Sequence, residues 1–506
     1  MIGGLKGLNR YLLAGAGAIG ILAAGATGAG AQDLKEIQAQ IEQMQATIKA
    51  LQKQVEDAKA QAAAAKSAAS ESGKSDLDLK VKWKGAPEFS SSDGKFKMKV
   101  RGRLMVDYNG IDQDTGITGR PDVSAVELRR ARLGVEGVVW YDVKYKFEVD
   151  FASDEVAIKD AYVAYAGLKP KSWEVGEIRI GNQHVYNSLE QITSSRFITF
   201  LERAAYHEAF FLDRQIGAAI LGGGEHWSFQ TGIYGATVGE QTDFFEDQTA
   251  YSGRLTWAPI NRDVNGVHQV LHLGASGRHR DEASDVRSPA ASATVFDDQP
   301  FRYRARGADL HLADRFVATP FFATEDDLLN LEAAFVWGPF SVQGEYAQLW
   351  TDSTFLSPVD PTYNGWYVEA SYWLTGETRN YEAATGEFGR PKVKNPVLWG
   401  KGKGGWGAWQ IAGRYDVVNL SDDNGQLVGL AGTTGTGIRF CTLCGDQQTW
   451  LIGLNWWLND YTAIKLNVTQ SKIEGSNPLN AGGLVGANQD KGAEITGVGM
   501  RAQVDW

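Results

Sequence analysis

Apolar and polar residues alternate with a period of two along most of the chain after Lys95. In the first such stretch, one face carries Phe96, Met98 and Val100, while lysine and arginine residues occupy the positions between them. Successive side chains of a β-strand point to opposite sides of the sheet, so this period indicates strands with one apolar face. Similar stretches follow to the carboxyl terminus, and the pattern predicts an all-β region over residues 95–506.

A transmembrane barrel accounts for this region better than a soluble sandwich, which would also alternate. No helical layer interrupts the strands, and aromatic residues lie near strand ends, as at Trp366, Tyr372, Trp409 and Tyr415. Such residues suit the aromatic girdles of outer-membrane barrels, which favour even strand numbers, and we expect about 16 antiparallel strands around an aqueous lumen. The last strand alternates strictly and stops at Trp506, as typically found in barrels recognised by the barrel-assembly machinery.

Residues 1–31 have the features of a secretory signal peptide. Lys6 and Arg10 precede an apolar run, and Ala29-Gly30-Ala31 fits the small-residue cleavage site. A retained membrane anchor is the alternative. No later stretch has the roughly 18 apolar residues of a membrane helix, so we expect export without a stop at the inner membrane.

Residues 32–66 carry apolar residues in a three-four alternation, which predicts an α-helical coiled coil. A lone amphipathic helix is the alternative, but it would expose its apolar stripe to water. The stripe does not decide between dimer and trimer, and its position before the barrel places it in the periplasm. Residues 67–94 have no period and are predicted to be a linker, with one short strand near Leu77 to Trp83. The stripe consists of Leu34, Ile37, Ile41, Met44, Ile48, Leu51 and Val55 and continues as Ala58, Ala62 and Ala65.

Composition narrows the classes of function. The 506 residues carry a net charge of -11, and loss of Lys6 and Arg10 with the signal peptide takes it to -13, which argues against a nucleic-acid-binding protein. The G-x-S-x-G, H-E-x-x-H and Walker patterns are missing, so we expect no enzyme activity, cofactor or metal. A hydrolase would have only His226 and His268 as faint candidates.

The two cysteines are Cys441 and Cys444. In an exported protein this pair predicts a small disulfide-closed loop. A zinc site would need two further ligands, and no nearby histidine has a suitable spacing.

Strand parity assigns many basic residues to the lumen. A charged Arg or Lys costs about 2–4 kcal/mol on the lipid face at mid-bilayer, which forces these side chains inward. A pore wall lined with charges of one sign raises the local concentration of counter-ions. The forked donors of guanidinium groups match the oxygens of phosphate. The alternative is that acidic residues on the same face neutralise these basic side chains, so that the pore is that of a general porin without anion preference. The candidate pore residues on strands are Arg101, Arg103, Arg130, Arg132, Lys144, Lys146, Arg254 and Arg414.

Several stretches are similar to the phosphate- and polyphosphate-selective porins of bacterial outer membranes. The resemblance covers Lys95 to Trp506 and rests on Leu128–Gly134, Tyr145–Phe151, Thr193–Phe197 and Asn455–Tyr461, among others. It implies a 16-stranded homotrimer in outer-membrane lipid, with a long loop at about His184 to Asp213 that folds inward and narrows the pore.

The resemblance also implies which residues meet the anion. Arg196 and Arg203 would lie on the inward loop, which contains a predicted helical run from Leu189 to Ala205. Arg129 and Arg130 match the paired pore arginines of the family. Parity points Arg129 toward lipid unless the strand is bulged or the residue lies at the membrane interface, so Arg130 is the stronger candidate.

These observations predict a passive outer-membrane channel for small anions such as phosphate or polyphosphate. A general porin is one alternative. A structural protein that ties the outer membrane to the cell wall through its coiled coil, with the pore secondary, is the other.

Overall fold

The computed structural model describes residues 31–506, apart from 72–78, 115–118, 153–155, 169, 171, 239–247, 282–300, 320–322, 354–359, 423–427, 431–438, 442 and 475–491. Two compact units, residues 1–78 and 79–506, are described separately below. The predicted signal peptide lies outside the described residues except for Ala31.

Helix α1 spans Ala31–Glu71 and contains the whole predicted coiled-coil segment. Alanine, glutamine, glutamate and lysine dominate it, and these residues favour helix. Four residues of the predicted stripe, Met44, Ile48, Leu51 and Val55, are each more than half exposed. No described helix combines the length and the apolar character that crossing a membrane requires.

The segment predicted as a linker, residues 67–94, contains more regular structure than expected. Helix α1 continues to Glu71, because alanine-rich residues keep a high helix propensity. Two short strands, Leu79–Lys84 and Ala86–Ser91, then pair antiparallel around Gly85, whose positive φ of 77° suits glycine. The first of them overlaps the predicted short strand.

Sixteen antiparallel strands form a closed barrel, which confirms the predicted fold class and strand number. Each strand pairs with the next along the chain, and the last pairs with the first from Thr496–Asp112 to Asp505–Arg103. The strands are β1 (Phe96–Asp112), β2 (Val123–Val139), β3 (Val143–Asp150), β4 (Ala157–Tyr165), β5 (Val175–His184), β6 (Arg214–Gly224), β7 (Trp227–Tyr234), β8 (Thr249–Val264), β9 (Val267–Asp281), β10 (Ala323–Trp337), β11 (Phe340–Ser353), β12 (Thr362–Trp373), β13 (Ala408–Ser421), β14 (Leu443–Asn459), β15 (Thr462–Glu474) and β16 (Glu494–Asp505).

The two faces of the barrel wall differ as the alternation predicts. On β16, Val498, Met500 and Val504 are exposed on the outside, whereas Arg501 and Gln503 are buried on the inside. The apolar outer face suits contact with the hydrocarbon of the membrane, whereas the polar side chains of the inner face need hydrogen-bond or ion-pair partners in the lumen.

The last residue of the chain closes the barrel against β1. Trp506 donates its backbone N–H to the carbonyl of Gly102 at 3.0 Å and accepts a hydrogen bond from the Gly102 N–H at 3.3 Å. Its indole covers Gly102 so closely that a Cβ there would lie 2.1 Å from Cζ2 of the ring. Only glycine fits beneath this side chain.

Three segments fold into the lumen. The inner loop (residues 185–213) joins β5 to β6, and the arginine segment (residues 301–319) precedes β10. Both enter from the end opposite the chain termini of the barrel. The terminal-end segment (residues 374–407) joins β12 to β13 and enters from the other end. The largest buried apolar cluster lies where the first two segments meet and includes Tyr206, Phe210, Tyr303, Leu310 and Phe316.

The inner loop contains two short helices, α2 (Leu189–Ile192) and α3 (Ala205–Phe210). The prediction of one helical run from Leu189 to Ala205 is wrong, because residues 193–204 are not helical. Lumen side chains hold their backbone instead. The carbonyls of Ile198, Thr199 and Leu201 accept hydrogen bonds from Lys465, Asn455 and Arg501 at 2.6–2.8 Å.

A cationic cavity in the barrel lumen

A cavity of about 690 Å³ lies between the inner loop and the wall formed by the first barrel strands. Among the described residues, twelve arginine and lysine side chains line it, against eight carboxylates, so the formal charge of this lining is positive although the whole chain is negative. The cationic side chains are Arg101, Arg103, Arg129, Arg130, Arg132, Lys146, Lys159, Arg179, Arg196, Arg203, Arg214 and Arg306.

Most of these cations have a carboxylate partner on the wall. Arg132 bridges Asp150 at 2.7 Å and Glu148 at 3.1 Å, and Arg103 reaches Glu148 at 3.3 Å and the hydroxyl of Ser195 on the inner loop at 2.8 Å. Such pairing fixes the geometry of the guanidinium groups. The side chains that line the cavity are therefore rigid, and more of them are cationic than anionic.

Lys159 differs from the other cations. Among the described residues its ammonium group makes no hydrogen bond or ion pair, although the side chain lines the cavity. An unpaired ammonium is a strongly hydrated point charge that is free to meet a mobile anion.

Arg129 points into the lumen, against the parity of its strand. The register of β1 and β2 shifts here, since Met105 pairs with Arg130 and Val106 with Leu128. This bulge turns Arg129 inward, where it forms a two-pronged pair with Glu202 of the inner loop at 2.8 and 2.9 Å. Bulges often re-aim a side chain beside a functional site.

The family model of the phosphate-selective porins O and P matches residues 98–506. The chain belongs to this family. Porin O of Pseudomonas aeruginosa is 26% identical over 415 residues, covering 78% of this chain and 88% of that protein. A protein of Caulobacter vibrioides is 28% identical over 435 residues, covering 84% of this chain and 77% of that protein.

Solved porin structures are also similar to this porin. The anion-selective porin of Comamonas acidovorans is 13% identical, with a TM-score of 0.44 over 81% of this chain and all of that chain (100%). OmpT of Vibrio cholerae is 10% identical, with a TM-score of 0.46 over 81% of this chain and 98% of that chain. The family match makes the protein an outer-membrane porin, and porins of this family are channels.

The cavity brings together seven of the ten residues predicted from the sequence, and three lie elsewhere. Lys144 pairs with Glu177 outside the cavity. Arg254 and Arg414 lie on the inner face but are fully buried, the first against Glu332 at 2.7 Å. The seven are Arg101, Arg103, Arg130, Arg132, Lys146, Arg196 and Arg203.

Arg414 holds two inward segments together. It donates to Asp309 of the arginine segment at 2.5 Å and to Glu190 of the inner loop at 3.3 Å. Because all three side chains are buried, removing one partner would leave an uncompensated charge in a poorly hydrated site. Arg414 is therefore a structural clamp and lies away from the anion-accessible surface.

Arg179, Arg214 and Lys159 also line the cavity and were not predicted from the sequence. Arg179 alternates with the exposed residues Ile178 and Ile180, so strand parity contained the signal for it. For Lys159 no such signal exists, because the register of β3 and β4 shifts next to it.

The terminal-end segment forms one boundary of the cavity. Arg254, while paired with Glu332, donates to the carbonyl of Gly386 at 2.8 Å. The N–H of Phe388 donates to Thr193 of the inner loop at 3.3 Å. Segments that enter from opposite ends of the porin therefore touch inside it.

Two carboxyl groups of the inward segments have raised pKa values. Burial, with the neighbouring Glu382 carboxylate, raises the pKa of Glu387 to about 7. Burial raises the pKa of Glu190 to about 8, although Arg414 opposes this shift. Glu387 lines the cavity, so the charge of the cavity depends on pH.

The disulfide prediction stays a prediction. Cys444 is buried and is not a free thiol, but the side chain of Cys441 lies outside the described residues. On the outer surface, possible ligand atoms of His279, Glu325 and Asp327 come within 4.8 Å of one another. His279 already hydrogen-bonds to Asp327, and we assign no metal site there.

Proposed function

We propose that this porin is a passive channel for small anions, with phosphate or polyphosphate as its substrate. The observation that carries the proposal is the cavity, where cationic side chains outnumber carboxylates by twelve to eight inside an otherwise acidic protein. A low-dielectric wall focuses such a field and raises the local concentration of anions. A general porin would not require this local inversion of charge.

Ten of the twelve cations are arginines, which supports an oxyanion substrate. The guanidinium group presents its donors in a planar fork that matches two oxygens of a phosphate. Chloride is a single spherical ion, so a point charge such as an ammonium group is enough to attract it.

Reversal potentials in planar bilayers under a potassium chloride gradient test the selectivity. We expect an anion-selective sign that weakens in Lys159→Gln, since the unpaired ammonium lines the cavity. Lys144→Gln is the matched control, with the same charge change on the neighbouring strand but outside the cavity. A cation-selective wild type would refute the proposal, and equal effects of the two variants would refute the role of the cavity.

Added phosphate tests the substrate. Single-channel chloride current should fall as inorganic phosphate is added, because phosphate occupies the same guanidinium donors for longer than chloride. Sulfate of equal ionic strength controls for divalent charge. Equal inhibition by the two anions would leave an anion channel without phosphate preference.

We further propose a homotrimer whose α1 helices associate as a periplasmic coiled coil. The exposed stripe on α1 supports this, since an apolar stripe of this kind is stable in water only against another helix. The turns at the terminal end of the barrel are mostly short, which is typical of the periplasmic side. In the full-length porin, Ile48→Cys should cross-link copies on oxidation, and Lys49→Cys, one position off the stripe, should not.

The same helix keeps the tethering role open as a second function. Deletion of residues 33–65 should weaken the cell envelope, with conductance unchanged, if α1 ties the outer membrane to the cell wall. An intact envelope in detergent-sensitivity assays would exclude tethering.

We also propose cleavage of residues 1–31 on export, a Cys441–Cys444 disulfide, and recognition of the Trp506 strand by the barrel-assembly machinery.

A further inference from the structure

Four tryptophans form a cluster on the outer surface of the barrel at its terminal end. Trp409 and Trp456 are paired on β13 and β14, and their rings stack with centroids 5.2 Å apart. Trp399 and Trp406 belong to the outer hairpin (residues 395–407), which is the last part of the terminal-end segment. The carbonyl of Trp406 accepts hydrogen bonds from Nε1 of Trp409 at 3.2 Å and from Nε1 of Trp456 at 2.7 Å. These two bonds hold the outer hairpin against the outside of the barrel wall.

The cluster continues the lipid-facing surface of the barrel. Ile411 and Leu454 are paired on the same outer face as Trp409 and Trp456, and both are exposed. Gln410, which lies between Trp409 and Ile411, is buried on the lumen side. Tryptophan is enriched at the height of lipid headgroups, because its ring is apolar and its N–H is polar. We therefore expect the outer hairpin to lie where the hydrocarbon of the membrane meets the headgroups.

The tip of the outer hairpin is open to its surroundings. A single 3₁₀ turn, Trp399–Lys401, joins the paired residues Val397–Leu398 and Lys403–Gly404. The side chain of Trp399 is 55% exposed and that of Trp406 is 72% exposed. Lys401 is also exposed, and among the described residues it makes no hydrogen bond or ion pair. The tip thus presents an ammonium group beside two aromatic rings.

Gly400, at the centre of this turn, is not required by the fold. It is not among the glycines with a positive φ, and a Cβ there would meet nothing within 4 Å. Alanine would therefore fit as well in the chain alone. Glycine allows a ligand to approach the backbone closely, so this position suggests that a ligand contacts the tip.

The charge of the outer hairpin indicates which ligand fits. Residues 391–407 contain four lysines and no acidic residue. Lysine side chains at a membrane surface attract anionic headgroups. The headgroup of phosphatidylethanolamine would add an ammonium group, for which the outer hairpin offers no carboxylate. The terminal end is the end proposed above to be periplasmic, where the leaflet of the outer membrane consists of phospholipid.

We propose that the outer hairpin binds an anionic phospholipid. The phosphate group of the lipid lies against Lys401 and the backbone of Gly400, and an acyl chain runs along Ile411 and Leu454. The tryptophan rings lie between these two parts at the level of the ester groups. The site is outside the lumen, so the proposal does not depend on the channel function proposed above.

Native mass spectrometry of the full-length porin tests the site. Delipidated porin is mixed separately with phosphatidylglycerol, phosphatidylethanolamine or phosphatidylcholine with the same acyl chains. The wild type should retain phosphatidylglycerol best, and Lys401→Gln should lower its affinity for this lipid about fivefold. Lys472→Gln is the matched control, because it removes an exposed lysine beside Glu474 at the opposite end of the barrel. This control should retain phosphatidylglycerol as the wild type does.

Equal retention of the three lipids by the wild type would overturn the proposal, as would unchanged retention in Lys401→Gln. Preference for phosphatidylcholine would also overturn it, since a choline group would then bind on the rings. Trp399→Leu should weaken retention of phosphatidylglycerol, whereas loss of the trimer with lipid retained would mean that a second copy covers the cluster.

Bilayer reversal potentials separate this proposal from the proposed function. Anion selectivity should be unchanged in Lys401→Gln, because this lysine does not line the cavity. A loss of selectivity in this variant would overturn the lipid site. A cation-selective wild type would refute the proposed function and leave the lipid site in place.

Discussion

At the scale of single residues, the alternation of the strands predicts most of the cavity wall. Arg101, Arg103, Arg130 and Arg132 all point inward as expected. Arg129 also points inward, because a bulge shifts the register beside it. A bulge depends on how the partner strand fits, so a periodic pattern in one strand does not reveal it.

Arg129→Leu distinguishes the two orientations by the sign of its effect on stability. A lipid-facing arginine would cost about 2–4 kcal/mol, so its removal would stabilise the barrel. The structure predicts the opposite, a loss of about 1–3 kcal/mol, because Glu202 loses two charge-assisted hydrogen bonds. The temperature at which the folded band disappears on semi-native gels measures this. A rise in that temperature would contradict the inward orientation.

Glu387 makes the selectivity of the porin dependent on pH. Its pKa of about 7, raised by burial and by Glu382, means that the carboxyl group is neutral below pH 7 and negative above it. Anion preference in chloride should therefore weaken between about pH 6 and about pH 8, and Glu387→Gln should remove most of this change. Glu225→Gln, on an exposed turn, is the control. A flat wild-type profile would contradict the prediction.

At the scale of elements, the sequence predicts the strands well and the inward segments poorly. The alternation of apolar and polar residues, together with the even strand numbers that bacterial barrels favour, predicts 16 strands. The helical run over residues 189–205 does not form as predicted. The backbone carbonyls in its middle accept hydrogen bonds from the side chains of Lys465, Asn455 and Arg501 and make no helical hydrogen bonds. Those partners lie hundreds of residues away in the sequence, where local propensity carries no information.

The junction of β1 with the final residue is the critical contact between elements. Gly102→Ala should lower the melting temperature of the folded barrel, since the added Cβ would meet the Trp506 ring at 2.1 Å. Gly277→Ala is the matched control, because a Cβ there would meet only a backbone oxygen at 3.8 Å. Semi-native gel mobility against temperature reports both. Equal melting of the two variants would show that the ring can move aside.

At the scale of the whole molecule, we expect the width of the pore to depend on the inward segments from both ends of the barrel. Replacement of residues 379–392 by a short glycine-serine turn removes one boundary of the cavity. The segment ends already meet, since the N–H of Lys394 donates to Glu377 at 3.1 Å. We expect single-channel conductance to rise several-fold, with barrel circular dichroism unchanged. An unchanged conductance would mean that the inner loop alone limits the flow of ions.

The cavity lining comes from the strands and the three inward segments. None of its described side chains belongs to the loops that join β1 to β2 or β11 to β12. The cavity lining and these two loops are thus encoded by different stretches of the gene. Substitutions in these two loops can therefore accumulate without changing any described side chain of the cavity lining.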